Sequence, residues 1–165
     1  MTPAAYLNSL PMPAARTALG RCCGASRWVE AMLAARPFAS DAELLATAER
    51  VWWGLGRTDW LEAFAAHPRI GDRGSGGAPT DWARREQAGA DGAAGATLAA
   101  LAQGNLTYEE RFGHVFLISA TGKTADEMLG ALRGRLANDP ATELRVAAEE
   151  QAKITRLRLD KLVVS

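Results

Sequence analysis

The stretch Ser40-Asp41-Ala42-Glu43-Leu44-Leu45-Ala46-Thr47-Ala48-Glu49-Arg50-Val51-Trp52-Trp53 decides how the chain is read. A serine followed three residues later by a glutamate is a capping box: the hydroxyl accepts a backbone N–H of the first turn and the carboxylate reaches back to the cap. Alanine and leucine then dominate and β-branched residues are sparse, so a helix is expected to run towards Trp53. The signature recurs outward from this point. Asp59 with Glu62 is expected to open a short helix ending near His67-Pro68, Thr107 with Glu110 one through Phe112, and Thr124 with Glu127 one through Leu136. Asp139 before Pro140 opens the last helix, with proline at the first position, where its missing N–H is tolerated. Upstream, Ser26 to Ala35 carries Trp28, Val29, Met32 and Leu33, and Pro37 stops it. Val115-Phe116-Leu117-Ile118 has the composition of a short strand; no partner strand is visible, so it reads as a buried helix end. A glycine-rich loop at 73–79, a helix restarting at Thr80 or Asp81 and running through Gln87, and a weak spot at 91–95 complete the pattern. The expectation is an all-α, single-domain helical bundle of about eight helices, without internal repeats.

Composition narrows the function. The chain has 165 residues, 48% of them hydrophobic, which fits one domain with a true core rather than a disordered segment. Lysine plus arginine number 19 and aspartate plus glutamate 19, so the basic excess of a nucleic-acid binder is missing. No basic membrane-surface helix is evident, and no apolar stretch approaches the roughly 20 residues of a membrane span. Cys22 and Cys23 are neighbours, which closes no useful loop and makes no CxxC pair; they read as small apolar residues in a reducing cytosol. Residues 1–10 lack a signal-peptide pattern, and a cytoplasmic setting is the expectation.

Few residues could carry chemistry. Of the two histidines, His67 stands before Pro68, which forces non-helical backbone and frees the ring to face a cleft; a polar helix terminus is the plainer alternative. His114, after Gly113 and before an apolar run, reads as structural. No zinc-ligand spacing is present. Gly122-Lys123-Thr124 looks like the end of a phosphate-binding loop, but Leu117 stands where that motif needs glycine. Glu86-Gln87 lies on a helix with Trp82 one turn back, a setting that would partly desolvate the carboxylate and raise its pKa, or else a surface ion pair. Leu144, Ala147, Gln151, Ile154 and Arg158 recur at steps of three or four, placing Arg158 on a buried stripe where it wants an anionic or carbonyl partner, structural or not.

His67-Pro68-Arg69-Ile70-Gly71-Asp72 resembles the His-Pro-x-Ile-Gly signature of the OHCU decarboxylase family. Further blocks agree in order: Leu7-Asn8, Ser26-Arg27-Trp28, Arg36-Pro37-Phe38, Glu86-Gln87, Phe112-Gly113 with Phe116-Leu117-Ile118 and Gly122-Lys123-Thr124, and Lys153-Ile154 through Leu157-Arg158-Leu159. The resemblance spans essentially the whole chain. It implies one all-α domain over 1–165 and a cofactor-free decarboxylase that converts 2-oxo-4-hydroxy-4-carboxy-5-ureidoimidazoline to (S)-allantoin in urate breakdown. It also implies catalytic roles for His67 and Glu86. Pro68 and Gln87 would contact the small-molecule substrate, the backbone of Ile118, Ser119, Ala120, Thr121 and Gly122 would line its ring, and Arg158 would hold a polar end. Ala83 departs from the pattern, because the family carries serine there; Thr80 or a water would have to replace its hydroxyl. The resemblance is compatible with a homodimer, which no sequence feature decides. The competing reading is a catalytically silent ureide-binding helical module.

Overall fold

The computed structural model describes residues 1–70 and 95–163. Eight helices occupy these residues: α1 (Pro3–Ser9), α2 (Met12–Cys22), α3 (Ser26–Ala35), α4 (Asp41–Trp53), α5 (Arg57–Ala65), α6 (Gly95–Phe112), α7 (Ala125–Arg135) and α8 (Pro140–Asp160). Among the described residues there is no strand, and the fold is all-α, as expected. The loop at 73–79, the helix through Gln87 and the weak spot at 91–95 lie outside the described residues, except for Gly95, which begins α6. Two compact units are distinguishable, Met1–Ala66 with Gln151–Ser165, and His67–Glu150. The division between them falls within α8.

In the first unit, α3 packs on α2, α4 and α5. Its core contains Leu7, Leu19, Trp28, Met32, Leu44 and Phe64, all fully buried. Burial of Trp28 requires a partner for its indole N–H, which donates to the Ala48 carbonyl at 3.2 Å. The Ser40 hydroxyl caps α4 by accepting the Glu43 N–H at 3.1 Å, and the Glu43 carboxylate takes the Ala39 N–H. Asn8 pairs with both backbone groups of Phe38 at 2.8 Å, and Arg36 donates to the Leu7 and Leu10 carbonyls at the end of α1. Two of the sequence blocks, Leu7-Asn8 and Arg36-Pro37-Phe38, are thus explained by each other.

In the second unit, α6 packs on α7. At Gly104 a Cβ would stand 2.8 Å from Leu132 Cδ2, so these helices approach closely enough that a side chain there would force Leu132 to shift. Thr124 and Glu127 form the expected capping box of α7. Asp139 caps α8 by accepting the Thr142 N–H at 2.8 Å.

Three expectations are corrected. The fifth helix begins at Arg57, not Asp59, with Gly56 as its cap: Asp59 accepts the Gly56 N–H, while Glu62 turns to Ser26 and takes its N–H and hydroxyl at 3.0 and 2.6 Å. Those two donors hold the Glu62 carboxyl below its ordinary pKa. Thr107 opens no helix, because its hydroxyl bonds back to the Gln103 carbonyl at 3.2 Å and α6 continues through it unbroken. Residues 115–118 are not a helix end either: α6 stops at Phe112, Gly113 takes φ +80°, and a buried non-helical segment follows.

Cys22 and Cys23 are buried free thiols. Burial pushes both upward, Cys23 to about 11. Native protein should therefore leave both thiols unreactive towards Ellman's reagent at pH 8, with two released by denaturant. Unfolded thiols ionise at their ordinary pKa of about 9.0, while folded Cys23 stays neutral to about 11. Its contribution to stability is then intact below pH 9 and falls between pH 9 and 11, by up to about 1.4 kcal/mol per pH unit. A urea midpoint that stays level across that window would contradict this.

Candidate functional site

α5 ends with the Ala66 N–H bonded to the Ala63 carbonyl, and the chain leaves helical geometry at His67-Pro68. Proline restricts the residue before it to extended backbone, which is why the helix cannot continue through His67. Both residues are half-buried. The turn they lead into is fastened to α6 at two points. Asn105, fully buried, donates through Nδ2 to the Ile70 carbonyl at 3.2 Å and to the Leu101 carbonyl at 2.8 Å. One helical turn further on, Glu109 receives Arg69 in a bidentate pair at 2.7 and 3.0 Å. Ile70 itself sinks into the core of the second unit beside Leu101, Tyr108, Ile118 and Ala120.

The segment from Ile118 to Gly122 lies in the same unit. Ile118, Ser119 and Ala120 are buried, and Thr121 and Gly122 are exposed. Its end is a tight turn: the Lys123 N–H bonds to the Ala120 carbonyl at 3.0 Å, and Gly122 supplies the left-handed φ of +80° that suits the third position of a type II turn. The Lys123 ammonium donates to the Ser119 carbonyl at 3.1 Å. Two side chains, the half-buried Arg135 and the buried Glu150, hold the segment's start. Arg135 donates to the Leu117 carbonyl at 2.7 Å, and Glu150 accepts the Ser119 N–H at 2.9 Å.

Arg135 is in turn fixed by Glu143, which is completely buried. Its carboxylate receives Arg135 at 2.6 and 2.9 Å, Asn138 at 3.1 Å, and the Tyr108 hydroxyl in a short bond. The guanidinium lies over the Phe116 ring, 4.5 Å from its centroid. Burial, and then the bond to Glu143, push the Tyr108 hydroxyl well above its ordinary pKa. His114 stacks on Phe112 and meets Tyr108 edge-on, with Nδ1 3.2 Å from the Val115 carbonyl, the setting of a packed structural histidine.

The structure thus sets the His67 turn and the 118–122 segment on one core cluster. Arg158 belongs to the other unit, where it is half-buried rather than fully buried as the stripe reading implied, and Nη1 donates to the Arg21 carbonyl at 3.1 Å. The buried line of α8 runs instead through Glu143, Ala147, Glu150, Gln151 and Ile154, with Leu144 only half-buried. Glu86, Gln87 and Ala83 lie outside the described residues. Sequence reasoning missed Asn105, Arg135, Glu143 and Glu150. Two of them carried a signal: Glu143 and Glu150 share the helical period of Ala147 and Ile154, which a stripe drawn through apolar residues alone passes over.

The family model for OHCU decarboxylase matches residues 8–160, and the chain belongs to that family. A relative from Arabidopsis thaliana, named uric acid degradation bifunctional protein TTL, is 44% identical over 146 residues. The match takes in 86% of this chain but spans only 45% of that protein. A Haloferax volcanii protein named 2-oxo-4-hydroxy-4-carboxy-5-ureidoimidazoline decarboxylase is 32% identical over 86% of this chain and 84% of its own length. A crystal structure of OHCU decarboxylase in the presence of (S)-allantoin is similar with a TM-score of 0.78 and 40% identity, covering 88% of this chain and 96% of that one.

Replacing Asn105 by alanine leaves the Ile70 carbonyl buried without its donor. Asn105→Ala should therefore lower unfolding stability by about 1–3 kcal/mol. Arg69→Ala, at a pair nearly half exposed on the arginine side, should lower it by less than about 1 kcal/mol. Urea unfolding of the two variants checks the order; equal or reversed losses would place the anchor in the ion pair.

Proposed function

We propose that the chain decarboxylates 2-oxo-4-hydroxy-4-carboxy-5-ureidoimidazoline to (S)-allantoin, without a cofactor. The observation that carries this reading is family membership over 8–160 together with His67 at the head of a turn anchored to α6. The relatives' names, and the presence of (S)-allantoin with a related structure, point the same way.

The chemistry suits such residues. The substrate carries a carboxylate and a hydroxyl on one ring carbon, beside an imine-like carbon bearing the ureido group. As the carbon–carboxylate bond breaks, carbon dioxide departs and the electron pair moves into the imine. The substrate supplies its own electron sink. The hydroxyl becomes a carbonyl by losing its proton, the former imine nitrogen takes up a proton from water, and a proton must reach the ureido-bearing carbon from one face to give one enantiomer. In this reading His67 takes the hydroxyl proton and returns one to carbon. Glu86 orients the histidine or the hydroxyl, and its charge disfavours the bound carboxylate. Gln87 and Arg158 grip the ureido and ring carbonyl groups, Pro68 packs alongside, and the backbone of Ile118–Gly122 lines the ring. At Ala83 the family's hydroxyl is lacking, and Thr80 or a water takes its place. A cytoplasmic setting and a homodimer belong to the same reading, the second testable by sedimentation. Among the described residues no helix is long and apolar enough to cross a membrane.

The test generates the substrate in place from urate with urate oxidase and hydroxyisourate hydrolase, and follows chiral allantoin by circular dichroism. Wild-type protein should give a rapid signal of one sign. His67→Asn should keep the fold and lose about a hundredfold to ten-thousandfold in rate. A wild-type trace no faster than spontaneous racemic decay would replace this reading with a silent ureide-binding module; an active His67→Asn would remove the histidine from its role.

A further inference from the structure

The segment proposed to line the substrate ring is gripped on the two peptide groups that flank Ile118. On one, the Leu117 carbonyl accepts from Arg135 at 2.7 Å; on the other, the Ser119 N–H donates to Glu150 at 2.9 Å. A trans peptide points its N–H and C=O in opposite directions. Fixing the Leu117 carbonyl therefore fixes where the Ile118 N–H points, and fixing the Ser119 N–H fixes where the Ile118 carbonyl points. Ile118 is buried, and among the described residues neither of its backbone groups has a partner. A buried donor and acceptor of this kind want a ligand that offers the complement, and a ureide ring edge carries both N–H and C=O.

Each clamp is itself held. Arg135 is locked by Glu143 and stacked on Phe116. Glu150 is 8% exposed and stands about two turns after Glu143 on the same face of α8. One helix face thus supplies both restraints, one through Arg135 and one directly.

We infer that Glu150 is a positioning residue for the reaction, aiming the Ile118 carbonyl at the substrate through its bond to the Ser119 amide. The inference rests on the function proposed above. Its content is an acceptor at one place, not a charge, and glutamine keeps the acceptor. A shift of the Ile118 carbonyl by about an ångström is enough to cost on the order of a hundredfold in rate.

The experiment compares full-length wild type with Glu150→Ala, Glu150→Gln and Glu150→Asp in the coupled allantoin assay, with enantiomeric excess and amide hydrogen exchange at Ser119 as further readouts. Glu150→Ala should lose roughly tenfold to a hundredfold in kcat/KM, give allantoin of lower enantiomeric excess and exchange the Ser119 amide faster. Glu150→Gln should stay within about threefold of wild type on every readout. If Glu150→Ala fails to fold, the near-isosteric pair decides: glutamine reaches Ser119 and aspartate, one methylene shorter, does not, so only aspartate should be impaired. A folded Glu150→Ala with wild-type kcat/KM and enantiomeric excess overturns the inference while leaving the decarboxylase reading standing. So does glutamine as impaired as alanine or aspartate. An inactive wild type overturns the function, and this role with it.

Discussion

A carboxylate with no exposure to solvent organises the second unit. Glu143 on α8 gathers the Tyr108 hydroxyl from α6, the Arg135 guanidinium from α7 and the Asn138 amide that follows α7. A buried charge is costly unless paired and hydrogen-bonded, so Glu143 is compatible with the fold only when all three helices are in place. This makes the assembly of α6, α7 and α8 one event rather than three. The same arginine that neutralises Glu143 reaches on to the Leu117 carbonyl, so the order of the helices passes into the order of the 117–122 segment.

The ordered sequence blocks divide into two kinds once their partners are visible. Asn8 with Phe38, Arg36 with the end of α1, and Trp28 with the Ala48 carbonyl are architecture: each satisfies backbone groups that helix ends or burial would otherwise leave unpaired. The His67 turn and the 118–122 segment are of another kind. The Ile70 carbonyl, the Arg69 guanidinium and the Ser119 N–H are held by Asn105, Glu109 and Glu150.

This division explains what was legible in the sequence. Helices announced by a hydroxyl or carboxylate at a cap, as at Ser40, Thr124 and Asp139, could be read because the cap and its target are three residues apart. The same local pattern misled at Asp59 and Thr107, where Glu62 bonds to Ser26 on another element and the Thr107 hydroxyl bonds backwards within its helix. The 115–118 segment defeated a periodic reading because the Leu117 carbonyl and the Ser119 N–H that flank Ile118 are taken by side chains distant in sequence, not by a helix or a partner strand. His67 could be singled out from the proline beside it. Asn105 and Glu150 could not, since their importance lies in which carbonyl or amide they meet.

Gly122-Lys123-Thr124 mimics a nucleotide motif in letters but divides three separate duties: the glycine turns the chain, the lysine ties back to the Ser119 carbonyl, and the threonine starts α7. These duties run consecutively from the Glu150 clamp at Ser119 to the helix cap, with no spare residue between them. What this stretch preserves is therefore its length as much as its composition. An inserted or deleted residue would put the turn, the tether and the cap out of step at once, a failure that no repacking of side chains could absorb.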